Sequence, residues 1–249
     1  MTSIRQLAIY PVKSLRGFTV DSAILTPTGL AHDRQWMIIN DKHRFVSQRQ
    51  FANMVLIHSA ICDGELVLSK PSEPELGSLI ITIEASPSAT VFDAIIWADT
   101  CQVVDEGREA SAWLTAAIGS ASPLRLVRMA NPHNAPRPQS KPELLGDNTH
   151  THFADAAPFL ICNDASLDAV NQQLYHHELS PITMAHFRPN IVLSGLEAFA
   201  EHRIQQLQHH HYQLQHCYPC QRCVIPTINV TTGIRHPQQQ PFSLLADIN

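Results

Sequence analysis

The residues best equipped for chemistry lie near the C-terminal end, in Cys217-Tyr218-Pro219-Cys220-Gln221-Arg222-Cys223, a C-x2-C-x2-C run. Thiolates bind soft metals, and a cation at Arg222 favours ionisation of the neighbouring Cys223. Bacterial-type iron–sulfur runs need a fourth cysteine shortly after the third, and none follows. A tetrahedral zinc site would have to recruit His216 or His211, at a spacing that matches no common finger. Spacing alone leaves a metal role and a plain loop equally open. The other three cysteines, Cys62, Cys101 and Cys162, stand singly in apolar segments and read as buried small hydrophobes. His209-His210-His211 reads as a solvated strand or turn.

Further segments carry charge where a plain strand or turn would not need it. Ile9-Tyr10-Pro11-Val12-Lys13-Ser14-Leu15-Arg16-Gly17 ends an apolar strand on Lys13, Ser14 and Arg16. Cation and hydroxyl converging at a strand end suit an anion such as phosphate. A solvated basic turn explains the segment equally well. In Gly29-Leu30-Ala31-His32-Asp33-Arg34-Gln35-Trp36, Arg34 offers a fixed fork of donors to phosphate or a polar heterocycle edge, and Asp33 reads as a structural neighbour to it. Ser47-Gln48-Arg49 closes the next strand with another cation. In Phe153-Ala154-Asp155-Ala156-Ala157-Pro158, Ala156 and Ala157 let a ligand approach the backbone closely. Asp155 there either orients a substrate or relays protons, or is a turn or helix-capping aspartate. Phe187-Arg188-Pro189-Asn190 places a charge and an amide with both donor and acceptor at the head of a strand, as a pterin edge requires.

The elements that must position these groups are short. Strands are expected at Ile4–Val12, Phe18–Thr26, Gln35–Asn40, Met54–Ala60, Glu65–Ser69, Leu79–Glu84, Val91–Trp97 and Cys101–Asp105, separated by Gly, Pro and Asp turns. Many short strands without intervening helices argue for a barrel or sandwich. A helix is expected over Glu109–Ile118, with Ala112, Trp113, Ala116 and Ala117 on its apolar face and Gly119 as its cap. Leu124–Ala130 reads as a strand, Asn131–Thr151 as a long polar loop or crossing, and Ser166–Leu174 as the body of a second helix. Asn190–Ser194 and parts of Ile204–Cys217 are strand-like. No internal repeat is present.

Composition narrows the classes. At 249 residues, with 44% hydrophobic and 16% charged residues, the chain can bury a real core and is not a disordered type. A net charge of −5 and the lack of a dense Lys/Arg stripe disfavour sequence-independent nucleic-acid binding. No apolar run approaches the roughly 20 residues of a membrane helix. Pro11 and Lys13 interrupt the place where a signal peptide would have its apolar centre. The expectation is a soluble cytoplasmic protein.

Taken in order, IYPVKSLRG, GLAHDRQWMIIN, SQRQFANMVLI, FADAAPFLICNDASLDAVN, FRPNIVLSG and CQRCVIPTINVTTG resemble the MOSC family. The similarity is to the subgroup with an extra N-terminal β-barrel domain, which includes the mitochondrial amidoxime-reducing component and bacterial proteins that detoxify N-hydroxylated bases. The resemblance implies a mainly β, α+β chain, with an N-terminal barrel-like domain over 1–120 and a MOSC barrel over 121–249. The family continues past T-T-G into further strands ending near a V-G-D motif, so a chain stopping at Asn249 is expected to lack the final strands of that barrel.

The resemblance also implies a molybdenum cofactor, with Cys223 as the metal's protein ligand. Lys13, Ser14, Arg34, Arg188 and Asn190 would hold its pterin and phosphate, Ala156 and Ala157 would border it, and Asp155 would lie near the metal. The implied activity is reduction of small N-hydroxylated substrates, with electrons from a separate flavin, iron–sulfur or haem protein. The alternatives are a non-catalytic cofactor or sulfur carrier and a zinc or iron–sulfur module on Cys217, Cys220 and Cys223.

Overall fold

The computed structural model describes residues 2–84, 90–131, 137–138, 142–146 and 149–248. Strands dominate, with four α-helices at Arg108–Ile118, Pro142–Leu145, Asp164–His176 and Phe242–Ile248, so the chain is mainly β with some α. Among the described residues the sheets are open: two of four strands, one of three and three of two, with no closed ring. No described helix is long and apolar enough to cross a membrane.

The Trp36–Ile39 strand shows why the fold has two main cores. All four residues of Trp36-Met37-Ile38-Ile39 are buried. Side chains alternate across a strand. Trp36 and Ile38 therefore enter one core, with Val12, Leu15, Met54, Leu68, Leu114 and Leu126. Met37 and Ile39 enter the other, with Ile96, Val103, Val127 and Phe153. The sheet that divides the cores runs, in order, Trp36–Ile39, Arg125–Met129, Asp99–Asp105 and Val91–Ile96.

The helix Arg108–Ile118 closes the first core with Ala110, Leu114, Ala117 and Ile118 and stops at Gly119, whose φ of 71° is left-handed. The expected face is displaced: Ala112 and Ala116 are exposed. Leu114 and Ile118 are larger, and burying them decides the rotation of the helix. The expected strand from Met54 also begins differently. Ala52–Leu56 is a 3-10 turn, pinned where Asn53 Nδ2 donates to the Ile118 carbonyl at 2.8 Å, and the strand starts at His58. Phe18–Thr26 is likewise divided, into Phe18–Val20 and Leu25–Thr26. Cys62 is exposed rather than buried, because its strand ends there at the Asp63-Gly64 turn.

The second four-stranded sheet matters most for function. Ser3–Ile9 pairs antiparallel with Phe18–Val20 on one side and with Ile191–Ser194 on the other. Ile191–Ser194 pairs in parallel with Ile161–Asn163, the connection running through the helix Asp164–His176. Asn163 caps that helix by accepting the Ala165 N–H at 3.3 Å. Val170 and Leu174 of the helix bury against Leu244 and Leu245 near the end of the chain. The first strand thus lies between a near neighbour in sequence, Phe18–Val20, and a distant one, Ile191–Ser194, and the segments just after it and just before Ile191 meet at one sheet end.

Candidate functional site

A cavity of about 1100 Å³ opens at that sheet end. It exceeds the roughly 300–1000 Å³ of a single small-ligand site. Lys13, Ser14, Arg34, Asp155, Ala156, Ala157, Arg188, Asn190 and Cys223 all border it. Backbone bonds bring three of the segments together: Arg34 N–H to the Tyr10 carbonyl (2.8 Å), Lys13 N–H to Trp36 (2.8 Å) and Phe153 N–H to Arg34 (2.9 Å). Ser14, Arg34 and Arg188 have left-handed φ values of 70°, 48° and 57°. Side chains pay for that conformation in strain, and it persists where surrounding bonds over-determine the turn.

Burial lowers the pKa of Lys13, and Asp155 opposes that shift. Lys13 Nζ donates to the Phe153 carbonyl at 2.8 Å and, in a tighter contact, to Asp155 Oδ1. Burial pushes the Asp155 carboxyl up, but the charge and hydrogen bond of Lys13, followed by Arg49 and Arg34, hold it at about 2. Asp155 is therefore a carboxylate near neutrality, paired with the Lys13 ammonium.

Arg34 donates to Asp33 Oδ2 (2.5 Å), Asn190 Oδ1 (3.1 Å) and the Arg188 carbonyl (3.2 Å). Buried Asp33 also accepts the Tyr10 N–H at 2.9 Å, which makes it the structural neighbour expected. Arg188 donates to the Leu15 carbonyl at 2.6 Å. Burial, then the charge of Arg34, lowers its guanidinium to about 10, so it stays charged near neutrality. Both guanidinium groups lie over the ring of Tyr10, at 4.4 and 4.5 Å, where the negative ring face offsets two neighbouring positive charges. Gly17 is required beside this ring, since a Cβ there would collide with Tyr10 and the Ile9 carbonyl.

Two other expectations change. Asn190 is buried, and its amide bonds Arg34, the Leu160 N–H (3.2 Å) and the Ala8 carbonyl (3.2 Å). It ties strands and Arg34 together instead of presenting a free edge to a heterocycle. Arg16 leaves the cavity to donate to the Val230 carbonyl at 3.3 Å.

The thiol wall is built differently. Residues 216–223 have no regular secondary structure. Cys223 is half-buried and precedes the 3-10 turn Ile225–Thr227, where Thr227 Oγ1 donates to Val224 at 2.7 Å. Cys217, Cys220 and Cys162 border the cavity as well. Arg222 is not directed as expected: its guanidinium lies 3.6 Å from Cys162 Sγ and over the Phe187 ring at 5.0 Å. Among the described residues no three His, Cys, Asp or Glu side chains are grouped so as to hold a metal ion.

Residues 1–121 match the family model described as the MOSC N-terminal beta barrel domain, and residues 148–247 match the MOSC domain. The mitochondrial amidoxime-reducing component 1 of Xenopus laevis is 34% identical over 236 residues, 93% of this chain and 67% of that protein. Its Homo sapiens counterpart is 33% identical over 249 residues, 98% of this chain and 71% of that protein. The chain belongs to the MOSC family. This MOSC chain is also similar to the molybdenum cofactor sulfurase of Drosophila mojavensis, at 31% identity over 237 residues, but spans only 29% of that longer protein.

The residues fit the cofactor that the family implies. Lys13, Arg34, Arg49 and Arg188 face Asp33 and Asp155 at one end, which leaves two positive charges for an anion such as a phosphate monoester. A soft sulfur donor borders the same space at Cys223. Several residues here escaped the sequence reading. Tyr10 lies within a quoted motif, but its place between two arginines follows from pairing across the sheet. Trp97 ends a strand with nothing in the sequence to mark it as cavity wall. Cys162 read only as an apolar-segment thiol.

Proposed function

We propose that this MOSC chain binds a molybdenum–pterin cofactor in the cavity and reduces small N-hydroxylated compounds, with electrons from a separate donor protein. The observation that carries the reading is that one cavity joins Cys223 to Lys13, Ser14, Arg34 and Arg188, groups up to 210 positions apart in the chain. The names of the similar amidoxime-reducing components support the reductive half.

In this reading the Cys223 thiolate is the metal ligand, and the bound cofactor supplies a two-electron metal centre. Arg34 and Arg188 border the pterin and lend it their positive charge, and Ser14 offers a hydroxyl beside them. Asp155 keeps Lys13 aimed along the wall, and Asn190 keeps Arg34 in place. Ala156 and Ala157 leave room for a flat ligand against the backbone. In the overall reaction the N–O bond breaks, two electrons and two protons are taken up, and oxygen leaves as water. The location we propose is cytoplasmic.

Metal analysis of the purified chain tests the binding half: molybdenum near one equivalent in the wild type and background in Cys223→Ala. Equal molybdenum in both would overturn it. The likeness to molybdenum cofactor sulfurase supports a second reading, a non-catalytic carrier of cofactor or sulfur. Turnover of an amidoxime with an added reductase separates the two.

A further inference from the structure

The cations singled out in the sequence are largely engaged by the protein itself. Lys13 binds Asp155 and a carbonyl, Arg34 binds Asp33, Asn190 and a carbonyl, and Arg188 binds a carbonyl beneath Tyr10. Arg49 differs. It is half-buried on the cavity wall, and among the described residues no carboxylate or carbonyl is bonded to its guanidinium. Among the described residues its guanidinium packs on the indole of Trp97, whose centroid lies 4.8 Å from the guanidinium carbon.

The base of Arg49 is clamped. Gln48 Nε2 donates to the Ser14 carbonyl at 2.6 Å, Gln50 Oε1 accepts the Ser47 N–H at 2.9 Å, and Arg235 donates to the Gln48 carbonyl at 3.0 Å. A rigid base thus carries a head that borders the cavity and whose five donors have no hydrogen-bond partner among the described residues. Its charge is felt at Asp155, so it belongs to the same electrostatic end as Lys13. Trp97 is an unusual neighbour. It is 41% exposed and borders the cavity, its φ of 55° is left-handed, and its ring packs on Phe45 at 4.8 Å. Left-handed backbone at a bulky residue is costly and persists where the surrounding structure holds it.

We propose that Arg49, steadied on the wall by Trp97, is the residue that grips the phosphate-type anion of the molecule this cavity binds. The assignment rests on the cofactor reading above. Arg49 is the binding residue, since its fork can take two oxygens at once. Trp97 is a positioning residue: its ring face holds the guanidinium toward the cavity without neutralising it.

The test uses the full chain in two forms: cofactor-free protein titrated with inorganic phosphate by calorimetry at low salt, and as-purified protein analysed for molybdenum. Arg49→Gln is expected to weaken phosphate about tenfold and to lower molybdenum content, and Arg49→Lys to recover only part, because an ammonium lacks the planar fork. Trp97→Phe should stay within about twofold of wild type and Trp97→Leu should lose about fivefold. Phosphate should also change the tryptophan emission of the wild type but not of Trp97→Phe, since neither Trp36 nor Trp113 borders the cavity.

Wild-type affinity and molybdenum content in a folded Arg49→Gln would overturn the assignment while leaving the cofactor reading intact. A wild type that retains neither phosphate nor molybdenum would overturn both. If Arg49→Gln does not fold, Arg49→Lys decides: full wild-type phosphate affinity there contradicts the need for a fork.

Discussion

The two ends of the cavity are held by opposite means. At the cationic end Lys13, Arg34, Arg188 and Asn190 are tied by hydrogen bonds to carbonyls, carboxylates and one another, on turns with left-handed residues. At the thiol end the sulfur contacts are weak: Cys217 Sγ to the Gln215 carbonyl and Cys220 Sγ to the Gln221 carbonyl, both at 3.6 Å, on irregular backbone. The cationic end is therefore part of what keeps the fold together. The thiol end can change with little cost to stability, and chemistry can act there without disturbing the fold. In this chain preorganisation and reactivity occupy different walls.

The contrast breaks first at Asp33. Asp33→Ala removes the partner of Arg34 and the acceptor for Tyr10 N–H, leaving a charge and a donor unpaired. It should cost about 3 kcal/mol and lower Tm by about 9 °C. Loss of less than about 1 kcal/mol would show that the cationic end is not part of the structural frame. Asn190→Ala should cost about 2 kcal/mol in denaturant unfolding, since its amide links Arg34, Leu160 and Ala8.

Asp155 sharpens the comparison through pH. Its folded pKa, about 2, lies below its ordinary value of 3.8. Its contribution is thus fully present above about pH 4 and is lost as pH falls through 2. Half of its side chain is exposed to the cavity, at 51%, so screening reduces the contribution to about 1 kcal/mol. Asp155→Asn should be less stable than wild type near neutrality, with the gap closing toward pH 2 in acid-unfolding curves. A gap that stays constant with pH would disconnect Asp155 from the Lys13 pair. The smallest effect belongs to the thiol end, where Cys217→Ser and Cys223→Ala should each alter stability by no more than about 0.5 kcal/mol.

Much of this was legible in the residues themselves. The strand around Trp36–Ile39 and the Gly119 stop are local signals, and local signals depend on neighbours a few positions away. The helical face over Arg108–Ile118 was misread because small alanines satisfy several rotations, and Leu114 and Ile118 choose among them only when a core is present. Arg222 and Arg16 were misjudged for a related reason. A long cation reaches about 6 Å from its backbone, and adjacency in sequence does not say which acceptor lies within that reach.

The sequence by itself determined the residue types of the site: a thiol run, four dispersed cations and an aspartate, in an order that marks the MOSC family. Only the tertiary structure decided their roles. Pairing of Ser3–Ile9 with Ile191–Ser194 placed Tyr10 between two arginines and engaged Asn190 internally. The same packing gave Lys13 to Asp155 and left Arg49 against Trp97. Charge is written in the side chain, but whether that charge is already satisfied depends on what the fold brings within hydrogen-bonding distance.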